Sequence, residues 1–118
     1  MRDNVIQRKS YEFALDIIQT YQTLRNKEHE YVLSKQLLRA GTSIGANIEE
    51  ALAASSRKDF IHRMSIASRE ARETVYWLRL LGDSSLLKDD NSILIDKATE
   101  LVRLLTAIVK TSSSSNDQ

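Results

Sequence analysis

Three groups of side chains have the type and spacing to do chemistry. The first is a polar row. Ser43, Asn47 and Glu50 recur at steps of four and three, which puts them on one face of a helix. Such groups need partners when buried, and Arg69 or Arg72 on the following helix is placed to supply charge-assisted hydrogen bonds. The structural reading, preferred here, is a buried network that fixes helix register or a subunit contact. The functional reading is a small polar pocket.

The second group is basic. Arg57, Lys58, Arg63, Arg69, Arg72 and Arg79 outnumber Asp59, Glu70 and Glu73 along one predicted helix, and Lys35 and Arg39 on the preceding helix add to one side. Arg57, Lys58 and His62 cluster at the start of that helix. Cations on a helix neutralise phosphates and give salt-dependent, sequence-independent nucleic-acid binding. The plain reading is a solvated face whose charges pair at i,i+3 and i,i+4. On the residues alone, the plain reading is the stronger.

The third group is the two histidines. A di-metal site in a helical bundle needs Glu-x-x-His pairs on facing helices with further inward glutamates. His29 lies in a turn between Glu28 and Glu30, and no glutamate precedes His62 at that offset. No metal is expected. Nucleophilic catalysis finds no support either. There is no cysteine and no Ser/His/Asp grouping, and the G-x-S-x-G spelled by Gly41 to Gly45 lies inside a helical pattern rather than on a strand-to-helix turn. The glycines of AGTSIGAN are not a phosphate loop, because Ala46 stands where the lysine would be. The chain is therefore read as no enzyme and as needing no cofactor.

The elements that position these groups are helices. The 118 residues contain no proline and only three glycines, Gly41, Gly45 and Gly82, which favours an all-α chain of one domain. The net charge is +1, so any nucleic-acid role must come from local clustering of charge. The lack of cysteine fits a reducing compartment, and no apolar run has the length of a signal core or membrane span, so a cytoplasmic location is expected.

The centre of the chain is the run Leu33 to Leu52. Leu33, Leu37, Ala40, Ile44, Ile48 and Ala51 line one helical face. Its middle is small, with Gly41 and Gly45 four apart. Each glycine inside a helix costs roughly 0.5–1 kcal/mol relative to alanine, so close approach by a neighbouring helix is expected in return. The periodicity predicts a first helix from Asp3 or Asn4 to Lys27. Its apolar stripe of Ile6, Phe13, Ile17, Tyr21 and Leu24 is widened by Tyr11, Ala14, Leu15 and Ile18. That width fits either deep burial or contact with another subunit.

The second helix is expected to reach Ala54. A third spans Arg57 to Leu81, with Ser56 as cap, Phe60, Met64, Ala67, Ala71 and Leu78 as core, and Gly82 as the glycine just past the end. A fourth begins at Asp90 or Asn91 and ends near Lys110, with Leu94, Ala98, Leu101, Leu105 and Ile108 in near-heptad spacing. Short turns between these helices predict an antiparallel up-down-up-down four-helix bundle over residues 1–111, with 112–118 as a disordered polar tail.

The order L-x-x-Q-L-x-R-A-x-x-S-I-x-A-N-I-x-E at Leu33 to Glu50, followed by Lys58-Asp59-Phe60, the small centre Ile66-Ala67-Ser68, and Glu73, resembles the family of 23S rRNA intervening-sequence proteins, also labelled S23 ribosomal proteins. The departure is Ala51, where the family often has glycine. The resemblance implies a four-helix bundle that assembles into a ring, typically a homopentamer, and an association with ribosomal RNA genes. It supplies no catalytic residues. With the resemblance added, the reading is an oligomeric bundle that binds structured RNA, a ribonucleoprotein or DNA. The expected phosphate contacts are Lys35, Arg39, Arg57, Lys58 and Arg63. The alternative is a scaffold that recruits a partner protein through the wide apolar stripes.

Overall fold

A computed structural model describes residues 4–87 and 91–116 of the chain. Four helices follow in order: α1 Val5–Asn26, α2 Leu33–Leu52, α3 Arg57–Asp83 and α4 Asn91–Asn116. No strand occurs among the described residues. The helices form an up-down-up-down bundle of 51 × 24 × 23 Å, in which α2 packs on α1 and α3, and α3 packs on α4. The seam between α1 and α4 is the thinnest contact of the four.

The core is the set of periodic apolar positions. Phe13, Ile17 and Leu24 of α1 meet Leu37, Ile44 and Ile48 of α2, Met64, Leu78 and Leu81 of α3, and Leu101 and Leu105 of α4. The small centre of α2 lets α1 approach closely. A Cβ on Gly41 would fall 2.8 Å from the Ile17 side chain, and one on Gly45 would fall 3.4 Å from the Ser10 hydroxyl. Both glycines therefore pack within the subunit.

Caps fix the helix starts. The Asn4 side chain accepts from the Gln7 N–H at 3.0 Å, and the Ser56 hydroxyl accepts from the Asp59 N–H at 3.1 Å. Asp3 and Asp90, the other helix starts expected, lie outside the described residues, as do 117 and 118. The start of α2 uses a different device. Val32 stands at the cap position and has no side chain to offer, so Glu30 reaches forward instead. Its carboxylate accepts from the backbone N–H groups of Val32, Leu33 and Ser34, the last at 2.7 Å.

Two helix ends differ from the sequence expectation. Helix α3 runs through Gly82, which is not left-handed; the left-handed residue is Ser85, with φ 64°. The backbone N–H groups of Leu86 and Leu87 then both donate to the Leu81 carbonyl, which turns both leucines onto the core. Gly82 has another use. A Cβ there would lie within 2.4 Å of the Asn91 amide nitrogen, which donates to the Leu78 carbonyl at 2.8 Å and ties the start of α4 to α3. The other difference is α4, which continues past Lys110 to Asn116, so the serine run expected to be disordered is helical over 112–116.

Candidate nucleic-acid interface

The polar row on α2 does not join α3. The Ser43 hydroxyl donates to the Arg39 carbonyl at 2.6 Å, and the Asn47 amide donates to the Ser43 carbonyl at 2.8 Å. Both side chains are satisfied by their own helix, and Glu50 is exposed. Arg69 and Arg72 point elsewhere: Arg69 is exposed, and Arg72 donates to the Thr106 hydroxyl of α4 at 3.2 Å. The expected network of Ser43, Asn47 and Glu50 with Arg69 or Arg72 is thus not formed. The reason is local. Ser and Asn inside a helix can reach the carbonyl four residues back, which satisfies them without a second helix.

The residue that does bridge α2 and α3 is Arg39. Its guanidinium forms ion pairs with Glu70, at 3.1 Å, and with Glu73. Glu73 also accepts from the Trp77 indole N–H at 2.9 Å. Glu70, Glu73 and Trp77 recur at three and four residues, so one face of α3 carries the acids and turns them toward α2. Arg39 is consequently the neutraliser of those acids rather than a free phosphate contact.

The other four expected phosphate contacts are spread along α2 and α3 rather than gathered in one place. Lys35 lies one turn from Arg39 on α2, and half-buried Arg63 shares the Glu70 face of α3. Arg57 and Lys58 are exposed at the first turn of α3, at the far end of the bundle. The levels of Lys35 and Arg57 differ by about 26 Å, given the rise along a helix. Among the described residues, none of Lys35, Arg57, Lys58 and Arg63 has an ion pair.

Two further ion pairs clamp α1 to α4. Lys9 meets Glu100 at 2.9 Å, and Lys97 meets Asp16 at 2.7 Å. The hydrogen bond from Lys9 holds the Glu100 carboxyl below its ordinary value. Among the described residues no group of His, Cys, Asp and Glu side chains could hold a metal ion. His29 has φ 54° and sits 3.3 Å from the Tyr31 hydroxyl, while His62 is exposed on α3. No helix among them is long and apolar enough to cross a membrane.

With this geometry in place, the comparisons decide the family. Residues 2–107 match the family described as 23S rRNA-intervening sequence protein. The chain belongs to that family. A solved structure of a protein of unknown function from the S23 ribosomal protein family of Bacteroides thetaiotaomicron is 48% identical, with a TM-score of 0.88, over 93% of this chain and 99% of that one. No curated protein matches the chain. In this intervening-sequence protein the family motif on α2 is accounted for by packing: Gly41 and Gly45 admit α1, Ser43 and Asn47 close on their own helix, and Arg39 binds the acids of α3.

Proposed function

We propose that this intervening-sequence protein is a non-enzymatic, cytoplasmic, oligomeric bundle that binds nucleic acid, structured RNA or a ribonucleoprotein, through basic surface residues. The observation that supports this most is the sorting of charge on α3. Its acids Glu70 and Glu73 are drawn to Arg39, while Arg57 and Lys58 stand exposed without an acid partner among the described residues. Unpaired cations of this kind take phosphates and release counterions, so affinity falls steeply with salt. The test is binding of a labelled structured RNA at about 50 and 200 mM salt, where several phosphate contacts cost orders of magnitude in affinity. Reversing Arg57 and Lys58 together to Glu weakens binding and flattens its salt dependence. Unchanged affinity in that variant would remove both residues from the interface.

Assembly is the second part of the reading. On α1, Tyr11, Leu15 and Ile18 are 64%, 52% and 38% exposed at steps of four and three, so the wide apolar stripe exceeds what the subunit core covers. A second copy of the chain is the proposed cover, and the family resemblance points to a homopentamer. The same row favours the alternative, a scaffold that recruits a different protein and binds no nucleic acid. That alternative gains if RNA binding is absent at low salt and the purified chain is monomeric.

A further inference from the structure

We propose that the trough between α3 and α4 seats the phosphodiester backbone of the RNA, with Arg69, Arg72 and Lys110 as the phosphate contacts. This rests on the nucleic-acid reading above and gives it a different centre, since Arg69 and Arg72 enter the sequence reading as partners of a buried network.

The argument begins with the outer ridge of α3. Lys58, His62, Arg69, Arg72, Tyr76 and Arg79 are all exposed, and their spacing of four, seven, three, four and three keeps them on one face. No carboxylate interrupts that row. Of the acids of the helix, Glu70 and Glu73 sit on the neighbouring face and are held by Arg39, while Asp59 lies in its first turn and Asp83 ends it one turn beyond Arg79. An ordinary solvated helix intermixes its charges and pairs them along its own surface. Here the pairing of Glu70 and Glu73 runs across to α2 and leaves the central cations Arg69 and Arg72 without an ion pair among the described residues. The row is about 32 Å long at the helical rise, which suits a polyanion with repeating charges better than a single small anion.

The trough lies beside the middle of this row. It is an open cleft of about 330 Å³ lined by Ser65, Ser68, Arg69 and Arg72 of α3 and by Thr106, Val109 and Lys110 of α4. The chemistry of its rim is uniform, with three cations, three hydroxyls and no acid. Arg72 is braced by its 3.2 Å hydrogen bond to Thr106, which spends one N–H and leaves the rest of the fork for an acceptor. A planar fork fixed in this way matches a phosphate with two parallel hydrogen bonds. Neither Arg69, Arg72 nor Lys110 has an ion pair among the described residues. Lys58 and His62 continue the track toward one end of the bundle, and Arg79 continues it toward the other.

The experiment measures the Kd of the full chain for a labelled RNA hairpin across a salt series. The double variant Arg69→Gln and Arg72→Gln is compared with Arg25→Gln and Lys27→Gln, which removes the same charge from exposed positions on α1 and the turn after it. Loss of two phosphate contacts lowers the slope of log affinity against log salt by about two and raises Kd at least tenfold near 0.1 M salt, roughly one unit of slope per contact. The α1 control keeps the wild-type slope. A third variant, Arg69→Lys with Arg72→Lys, keeps the charge and loses the fork, so it weakens binding while retaining the slope. Thermal unfolding confirms that each variant is folded. If wild type binds and the Gln pair keeps its slope, or if both Gln pairs lose affinity equally, the trough assignment is wrong and the nucleic-acid reading survives. If wild type does not bind RNA even at low salt, both fall.

Discussion

A Cβ added to Gly41 would meet both γ carbons of Ile17 at 2.8 Å. Ile17 is fully buried and β-branched, so it has no room to turn away. Gly41→Ala is expected to destabilise the bundle by about 1–2 kcal/mol, the cost of overpacking less the helix propensity regained. Gly45 provides the contrast. A Cβ there would meet the Ser10 hydroxyl at 3.4 Å and the Ser10 carbonyl at 3.6 Å, both ordinary contacts, so Gly45→Ala is expected to be neutral or to stabilise by up to about 1 kcal/mol. Urea unfolding of the two variants separates these outcomes, and equal effects would contradict the close approach of α1 at Gly41.

The cap at α2 predicts a pH dependence. Burial pushes the Glu30 carboxyl up, but the backbone N–H groups of Ser34, Leu33 and Val32 outweigh it and hold the carboxyl below its ordinary value of 4.5. The stability this contributes is complete above that ordinary value. It is lost as pH falls through the lowered folded value. Glu30→Gln is expected to cost about 1 kcal/mol at neutral pH, the usual worth of a helix cap, and less in acid. A difference between wild type and variant that persists unchanged down to strongly acidic pH would show that the carboxylate is not the source.

Arg39 offers a test of the charge sorting. Its pairs with Glu70 and Glu73 are partly exposed, so Arg39→Gln is expected to cost under about 1 kcal/mol in stability. Its larger effect is on binding, because two uncompensated carboxylates then lie next to the basic ridge. RNA affinity should fall in the variant although Arg39 touches no phosphate, and added Glu70→Gln and Glu73→Gln should restore it. Failure of that restoration would make Arg39 itself a contact. Trp77, the sole tryptophan, reports the local structure through its bond to Glu73.

The exposed row on α1 predicts assembly. Leu15→Glu leaves the subunit core intact, since the side chain is half exposed in the single chain. It is expected to shift the light-scattering mass toward the monomer without lowering helicity. An unchanged mass would move the subunit contact off this face.

Much of the fold was legible because helical period is a strong signal. The stripes of Phe13, Ile17 and Leu24, and of Leu94, Ala98, Leu101 and Leu105, appear in the core in their expected order. The caps at Asn4 and Ser56 were legible for the same reason, since small polar side chains there have one obvious use. Glu30 was harder. It caps from outside the helix, through a turn whose left-handed residue is His29 rather than a glycine. Gly82 misled because a glycine after a periodic run usually ends a helix, whereas here it makes room for Asn91. The basic surface was legible as composition and not as geometry. Only the pairing of Arg39 across to α3 decides which cations remain free, and that pairing depends on how two helices meet rather than on spacing along either one.

The two clamps between α1 and α4 carry information about direction. Along α1 the order is Lys9 then Asp16; along α4 it is Lys97 then Glu100. Lys9 finds Glu100 and Asp16 finds Lys97 only when the helices run in opposite senses. Were α4 threaded the other way, lysine would face lysine and carboxylate would face carboxylate. Each clamp is weak on its own, yet misthreading forfeits two attractions and gains two repulsions. At the thinnest seam of the bundle, four surface side chains thus act as a polarity mark that tells the last helix which way to lie down.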